Sequence, residues 1–191
     1  QALADALGDS IRLQATVTRV EMRDGIYWVT YQDQNEQEHQ VSAQAVILAV
    51  PAPVTLWLAP TLLSTEQTSL LEQIDYAAYV TVSLFSEVPI FDGAFDLAVP
   101  DGYFFTDVYD STWVQRYYDS TLADKPESVL GIYIAPDSYR DRSLLEMSDE
   151  QILANVYADL ERIFPGVENK ISGYDIQRFH YAYPVMTLGA Y

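Results

Sequence analysis

Residues 44–60 read QAVILAVPAPVTLWLAP, and this stretch decides the fold expected for the first part of the chain. Six apolar residues, Ala45 to Val50, stand in a row without the polar alternation of a half-exposed strand. A short continuous apolar run is typical of a strand that is buried on both faces, as in a parallel sheet. Pro-Ala-Pro at 51–53 ends the run. Because a residue that precedes proline favours extended geometry, no helix is expected straight after it.

The composition excludes several classes of function. The chain has 191 residues, of which 28 are acidic and 10 basic, and its net charge is −18. This charge repels phosphate backbones and anionic membrane surfaces, so nucleic-acid binding is not expected. The chain has no cysteine, which excludes disulfides and thiol chemistry. No stretch reaches the roughly 18 uninterrupted apolar residues of a membrane span. We expect a soluble, cytoplasmic protein, and its first residues look internal to a longer chain.

The patterns along the chain predict a compact α+β fold. Alternating apolar residues at 11–20, a turn at Asp24-Gly25 and the apolar run 26–31 predict a hairpin, which a short strand ending near Ser42 extends to an antiparallel meander. Capping boxes predict helices that begin after two serines, in the segments Ser64-x-x-Gln67 and Ser148-x-x-Gln151. Strands rich in β-branched and aromatic residues are predicted at 79–85, 103–108, 113–118, 129–134 and 174–179.

The sequence shows no catalytic apparatus or metal site of its own. The two histidines, His39 and His180, lack the spacing of zinc ligands. The glycines form no G-x-G-x-x-G turn for a dinucleotide, and no serine lies in a nucleophile elbow. We therefore predict no catalytic residue and no metal ligand in this chain.

Four segments, in a fixed order, resemble a known family. They are Val17-Thr-Arg-Val20 after a helix end, the run AQAVILAVP at 43–51, the strand YVTVSLF at 79–85, and Phe179-x-x-Ala182-x-Pro184 with Gly189. This order resembles the flavin-containing amine oxidase superfamily, which includes monoamine oxidases and protoporphyrinogen oxidases. The last segment has Phe where the family has Trp. The resemblance to the family is good over 1–86 and fair over 147–191. Residues 87–146 fit the family only by their position between these two parts.

The resemblance implies that FAD is the cofactor of a longer parent protein. The expected fold is α+β, with a mixed or antiparallel sheet and packed helices, and it is that of the substrate-binding domain without the Rossmann half. Residues 1–53 would lie next to the FAD domain, and residues 54–191 would form the substrate-binding domain. By their positions in the family, the backbone of Val17 would bind the adenine ring, while Ala49, Val50 and Pro51 would line the FAD.

The function implied by the resemblance is that of an FAD-dependent oxidoreductase, which transfers a hydride from a small-molecule substrate to the flavin. The partner would be the FAD-binding half of the same parent chain, and the chain alone is expected to be inactive and without FAD. Monoamine oxidases carry a lysine that contacts the flavin through water, but the matching position, Val80 or Thr81, has none. This absence favours the branch without that lysine. The alternative is a non-enzymatic, acidic, β-rich module that binds ligands on exposed aromatic residues.

Substrate contacts are expected on the strands within 99–134, inside the stretch 87–146 where the family pattern fades. Aromatic and polar residues alternate there, as in a sheet that lines a pocket with one face. The candidates are Tyr103, Phe105, Tyr117, Tyr133 and, as an anchor for an acidic group, Arg116. If 113–118 is a regular strand, Arg116 and Tyr117 point to opposite faces and cannot both contact one substrate. Tyr117 is favoured, because an aromatic wall excludes water from the flavin.

Overall fold

The structure is a computed structural model that describes residues 2–91, 94–122 and 124–186. The chain divides into two units, Gln1–Asp75 and Tyr76–Tyr191. The boundary predicted after residue 53 separates a part next to the FAD domain from a substrate-binding domain. That functional division stays a prediction.

The first unit contains a three-stranded antiparallel sheet. After helix α1 (Ala2–Leu7) and a 3-10 turn (Gly8–Ser10) come strands β1 (Thr16–Arg23), β2 (Ile26–Gln32) and β3 (Glu38–Ala43), which lie side by side in chain order. Asp24 and Gly25 both have positive φ, 51° and 78°. Two such residues form the tight turn whose twist matches that of the flanking strands. The predicted meander is confirmed.

The buried strand predicted at 45–50 is wrong. In the described part of the chain these residues belong to no strand, and the side chain of Ile47 is 93% exposed. The run has the composition of a buried strand, but a strand exists only where a neighbour completes its hydrogen-bond ladder. The three strands of this unit pair with one another and leave 45–50 without such a neighbour.

The expectation that no helix follows Pro-Ala-Pro is also wrong. Helix α2 (Ala52–Leu58) begins directly after Pro51, which has extended geometry and serves as its N-cap. Pro53 lies in the first turn, where a missing N–H is harmless because the first N–H groups of a helix have no partner within it. Helix α3 (Thr65–Glu72) follows, and its capping box of Ser64 and Gln67 is confirmed.

In its described residues, the second unit has a five-stranded sheet, three α-helices and a 3-10 turn (Glu168–Lys170). Its strands are β4 (Tyr76–Ser86), β5 (Asp96–Ala98), β6 (Asp107–Asp110), β7 (Ser128–Ile134) and β8 (Ile171–Pro184), in the spatial order β5-β6-β7-β4-β8. All neighbours are antiparallel. The helices are α4 (Ser111–Tyr118), α5 (Ser143–Glu146) and α6 (Asp149–Ile163). The predicted strands at 79–85, 129–134 and 174–179 are confirmed as parts of longer strands, whereas 103–108 overlaps β6 only at its end.

One face of this sheet forms the core together with α6. Alternate residues in the middle of β4 lie in that core, where the side chains of Val80, Val82 and Leu84 are fully buried. They belong to one cluster with the apolar stripe of α6, which comprises Ile152, Leu153, Val156 and Leu160. Since side chains alternate along a strand, Tyr79 and Thr81 lie on the opposite face.

Residues 113–118, predicted as a strand, form helix α4 instead. The fully buried Asp110 is its N-cap and accepts a hydrogen bond of 2.8 Å from the N–H of Thr112. Aromatic residues are favourable in strands, but Trp113 and Tyr117 are four residues apart and share one face of the helix, where their rings stack. The inference that Arg116 and Tyr117 point to opposite faces of a strand therefore does not apply.

We expect Ser148→Ala to lower the free energy of unfolding by about 1 kcal/mol. The Ser148 hydroxyl accepts the N–H of Gln151 at 3.3 Å, at the start of the helix that covers the core. Denaturant unfolding of the whole chain measures the change. The control is Ser69→Ala, an exposed helical serine in α3, which should change stability by less than about 0.5 kcal/mol. Equal losses in both variants would contradict the capping role.

Candidate functional site

The sheet face opposite the core carries a cluster of aromatic side chains on four adjacent strands. The ring centroid of Tyr133 in β7 lies 4.7 Å from that of Tyr109 in β6 and 5.6 Å from that of Tyr79 in β4. The ring of Tyr183 in β8 meets Tyr79 edge-on at 5.4 Å. We call this surface the aromatic face; its residues are Tyr79, Thr81, Tyr109, Tyr133, Phe179, Ala182 and Tyr183.

These residues line an open cavity of about 340 Å³. That volume is near the lower end of the range for small-molecule sites, and apolar and aromatic walls with few polar groups are typical of such sites. The walls are held in place by the core beneath them, because Val80 and Val82 of the same strand are fixed in that core. The cavity can therefore hold a small organic molecule against phenol rings.

Gly131 allows Tyr109 to lie across β7. The two residues face each other in the antiparallel pair of β6 and β7, and a Cβ atom at position 131 would overlap the Tyr109 ring. Glycine within a strand often marks such a close approach. The absence of a side chain at this one position lets Tyr109 stack on Tyr133 with 28° between the ring planes.

Two phenols of the cavity, those of Tyr79 and Tyr133, have raised pKa values. Burial raises the pKa of Tyr79 from 10.0 to about 12, while a hydrogen bond with Thr106 acts in the opposite direction. A side-chain hydrogen bond with Tyr109, followed by burial, raises the pKa of Tyr133 to about 12. The carboxylate of Asp107 adds a smaller upward effect on the pKa of Tyr79. The cavity wall thus offers the neutral hydroxyl groups of Tyr79 and Tyr133 together with the ring faces of its aromatic side chains.

Of the predicted substrate residues, only Tyr133 lies on the aromatic face. Phe105 belongs to the core cluster with a side chain that is 2% exposed, so it has no surface to offer a substrate. Tyr103 packs against the same cluster; its ring lies 5.9 Å from that of Phe105, and the guanidinium of Arg162 lies over it at 4.0 Å. Tyr103 and Phe105 therefore serve the core.

Arg116 and Tyr117 lie on α4, outside the cavity of the aromatic face. Arg116 donates a hydrogen bond to the carbonyl of Glu127, and its Nη1 lies 3.6 Å from Oδ2 of the buried Asp110. Its charge is therefore compensated within the protein. A separate depression of about 230 Å³ lies beside Arg116 and Lys125. Tyr117 is 75% exposed and stacks on Trp113.

The sequence interpretation missed most of the aromatic face. The missed residues are Tyr79, Thr81, Tyr109, Phe179 and Tyr183. A signal was present in β4, where alternation in YVTVSLF already sets Tyr79 and Thr81 opposite the buried valines. The position that matches the lysine of monoamine oxidases is either Val80 or Thr81. These two residues lie on opposite faces of the sheet, since Val80 is buried in the core while Thr81 lines the cavity.

Val17, the predicted adenine contact, lies in β1 at the edge of the first sheet. The pairing with β2 shifts register between Val17 and Arg19, and such a bulge leaves a residue outside the regular ladder. An open depression of about 340 Å³ beside it is lined by Asp9, Ser10, Arg12, Ala15, Val17, Tyr31 and Val41. Val17 itself pairs with Tyr31 and the residue outside the ladder is Thr18, so the depression is the feature beside Val17 that can take a ligand.

Ala49, Val50 and Pro51 are accessible at the surface of the first unit, the first two exposed and the third half-buried. They can therefore line a ligand. Gly189 of the final motif lies outside the described residues. Across 2–91, 94–122 and 124–186, no three or more His, Cys, Asp or Glu side chains are grouped to hold a metal ion. The described helices include none with the length and apolar character needed to cross a membrane.

A sequence profile of the flavin containing amine oxidoreductases matches residues 1–191. The chain belongs to this family. The resemblance seen in the sequence is thereby confirmed. A search of curated proteins gave no match.

Several solved structures share the fold. Wild-type putrescine oxidase bound to putrescine is 22% identical with a TM-score of 0.65, over 91% of this chain and 36% of that one. Cyclohexylamine oxidase from Brevibacterium oxydans IH-35A is 16% identical with a TM-score of 0.64, over 93% and 37%. An oxidoreductase from Methanosarcina mazei is 19% identical with a TM-score of 0.57, over 89% and 38%. The predicted fold class is confirmed, and the chain spans little more than a third of these proteins.

We expect Gly131→Ala to destabilise the protein by about 1–3 kcal/mol, because the new methyl group displaces the Tyr109 ring. The control is Gly173→Ala, where a Cβ atom would make an ordinary contact of 3.5 Å with Phe85. Denaturant unfolding measures both variants, and near-UV circular dichroism reports on the stacked tyrosines. Equal stability of the two variants would show that Tyr109 does not lie across Gly131.

The raised phenol pKa values predict a loss of stability in alkali. In the unfolded chain a phenol has a pKa of about 10, and in the folded protein Tyr79 and Tyr133 have pKa values of about 12. Their stabilising effect is complete below pH 10 and is lost as the pH rises towards 12. Tyr79→Phe should make the free energy of unfolding less dependent on pH in this window, as urea titrations at several pH values will measure. An unchanged pH dependence would contradict this environment for Tyr79.

Proposed function

We propose that the chain is the substrate-binding portion of an FAD-dependent oxidoreductase, and that the aromatic face is the wall of its substrate cavity. The observation that carries the proposal is the set of tyrosines on adjacent strands, which line a cavity in a member of a flavin family. A sheet fixed from below by its core supplies a rigid surface, and rigid surfaces position substrates better than loops do.

FAD, when bound, accepts a hydride from the substrate. The protein's own contribution is to bind the substrate, orient it and exclude water. The rings of Tyr79, Tyr109 and Tyr133 provide the apolar wall for this, and excluding water from the cavity strengthens the remaining polar contacts. The two positions compared with the lysine of monoamine oxidases, Val80 and Thr81, are not lysines, and Thr81 offers a small hydroxyl to the cavity. We therefore assign the chain to the branch without that lysine.

For the cofactor, we propose that the backbone of Val17 binds the adenine ring and that Ala49, Val50 and Pro51 line the FAD. The edge position of β1, its register shift and the adjoining depression support the first assignment. The accessibility of 49–51 supports the second. The pyrophosphate would require a glycine-rich turn, which this sequence does not contain. We expect the FAD-binding half of the same parent chain to supply that turn.

A second candidate is a non-enzymatic module that binds ligands on exposed aromatic residues. The exposed rings of Trp113, Tyr117 and Tyr118 on α4 favour it. Variants on the aromatic face and on the exposed rings of α4 distinguish the oxidoreductase function from that of a binding module.

In the full-length parent enzyme, we expect Tyr79→Ala and Tyr133→Ala each to lower kcat/KM by at least about tenfold, since each removes part of the cavity wall. Anaerobic bleaching of the flavin by a panel of small amines, beginning with putrescine, measures turnover. Tyr103→Ala and Tyr117→Ala are the controls, and they also test the interpretation made from the sequence. If the controls lose activity while the cavity variants keep it, the substrate does not bind at the aromatic face.

The chain by itself should be colourless and inactive. We expect no flavin absorbance after incubation with FAD and gel filtration, because the glycine-rich phosphate turn is not part of it. A yellow, FAD-loaded chain would refute the proposal that the FAD-binding half of the parent chain is needed to hold the cofactor.

A further inference from the structure

The aromatic rings of the second unit continue beyond the cavity. The inner part of the series is the stacked wall of Tyr183, Tyr79, Tyr133 and Tyr109, in which successive ring centroids are 4.7 to 5.6 Å apart. From Tyr109 the next contact is with Phe95, at 6.3 Å. The cavity wall is therefore one end of a longer series of rings.

The outer part of the series reaches the surface on α4. Phe95 lies 6.3 Å from Trp113, whose ring stacks on that of Tyr117 at 6.4 Å with 5° between their planes. Tyr117 in turn contacts Tyr118 at 5.1 Å. Exposure of the side chains rises along this series, from 40% at Trp113 to 75% and 80% at the two tyrosines.

We propose that these rings form a path along which an oxidising equivalent moves from the aromatic face to the surface of α4. Tyrosine and tryptophan are the aromatic side chains that lose one electron most readily. The rate of electron tunnelling falls exponentially with distance, so several short steps between oxidisable rings are faster than one long step. Phe95 is hard to oxidise and serves as a bridge. It holds Tyr109 and Trp113 with their ring centroids no farther apart than twice 6.3 Å.

The oxidant is the hydroxyl radical, which forms beside the aromatic face when hydrogen peroxide, the two-electron reduction product of dioxygen, takes one electron from a ferrous ion in solution and splits into hydroxyl radical and hydroxide. For this source of oxidant the path rests on the proposed function. The hydroxyl radical takes one electron and the phenolic proton from Tyr79 and becomes water, which leaves a neutral tyrosyl radical. An electron and a proton from Tyr133 then restore Tyr79, and the radical has moved by one ring.

The same exchange repeats along the path until the radical lies at the surface. At Trp113 the proton that leaves with the electron is that of the indole N–H. At Tyr118 a small-molecule reductant of the thiol or ascorbate class supplies one electron and one proton and is itself oxidised by one electron. The phenol is restored, and no covalent change remains in the protein.

The geometry also shows what the path prevents. Two tyrosyl radicals in contact couple through a carbon–carbon bond, and Tyr109 and Tyr133 are stacked at 4.7 Å. Such a cross-link would fix the cavity wall permanently. Moving the radical to exposed rings, where a reductant can reach it, protects the cavity.

The chain itself offers a clean way to test the path. Because it contains no cysteine, Gln177→Cys gives a single attachment point for a ruthenium(II) tris-bipyridine photo-oxidant. Gln177 is exposed in β8 and pairs with Thr81, on the side of the aromatic face. After a light flash, a cobalt(III) ammine quencher removes one electron from the ruthenium, and the ruthenium(III) then takes one from a nearby tyrosine. A nitroxide trap and peptide mass spectrometry identify where the radical ends.

The expected result is that most nitroxide adducts form on Tyr117 and Tyr118. Tyr109→Phe and Tyr133→Phe keep the ring packing but remove the oxidisable phenol, so each should abolish most of these adducts and leave them on Tyr79 instead. Tyr103→Phe, a tyrosine on the core side of the sheet, is the matched control and should change nothing. If a tyrosine variant fails to fold, as judged by circular dichroism, Trp113→Phe on the exposed helix must show the same loss.

Unchanged adducts on Tyr117 and Tyr118 in the Tyr109→Phe, Tyr133→Phe double variant would overturn the proposal. So would adducts spread evenly over exposed tyrosines that lie off the path, such as Tyr174. The measurement needs no FAD and no turnover. A failure of the path would therefore leave the proposed enzymatic function intact, and a failure of that function would not change where the radical ends.

Discussion

The packing of α6 against one face of the five-stranded sheet is the contact on which the rest of the second unit depends. Val80, Val82 and Leu84 are fully buried under the helix. Because successive side chains of a strand point to opposite faces, the residues between them must point away from the core. Tyr79 and Thr81 must face the other side. A one-residue slip in register would exchange the two sets and place a tyrosine in the core. The identity of the cavity wall is thus a consequence of how the core is filled.

The sequence was a good guide wherever a local rule was sufficient. The capping boxes at Ser64 and Ser148 were predicted correctly, because two side chains a few residues apart satisfy the first N–H groups of a helix whatever surrounds them. The meander was predicted for the same reason, since Asp24-Gly25 dictates its own turn. By contrast, the apolar run 45–50 needs a neighbouring strand, and composition alone does not reveal whether one is present. In 113–118, aromatic residues suit either a strand or a helix, and the buried cap Asp110 decides for the helix.

The candidate site was harder to predict than the fold, because it is assembled from four strands that are far apart in sequence. Tyr133, one of the substrate candidates, lies on the aromatic face because it belongs to a long, regular strand. Tyr109 was not among the candidates, because β6 has four residues, too few to show a period. Phe105, another candidate, lies in the core, since an aromatic residue in a stretch where the family pattern fades can still be a core residue. The tyrosines meet only through the spatial order of the strands, which no local pattern encodes.

Gly131 restricts which amino-acid substitutions this protein can accept during evolution. Since Tyr109 occupies the space that a side chain at position 131 would need, the two positions cannot vary independently. A larger residue at 131 becomes acceptable only after Tyr109 has been replaced by a small one, and that replacement by itself leaves a gap beside Tyr133. Each order of substitution therefore passes through a less stable intermediate. A lineage that acquires a different cavity wall here must cross that barrier, so the backbone of one strand constrains the shape of the cavity as much as the chemistry of its tyrosines does.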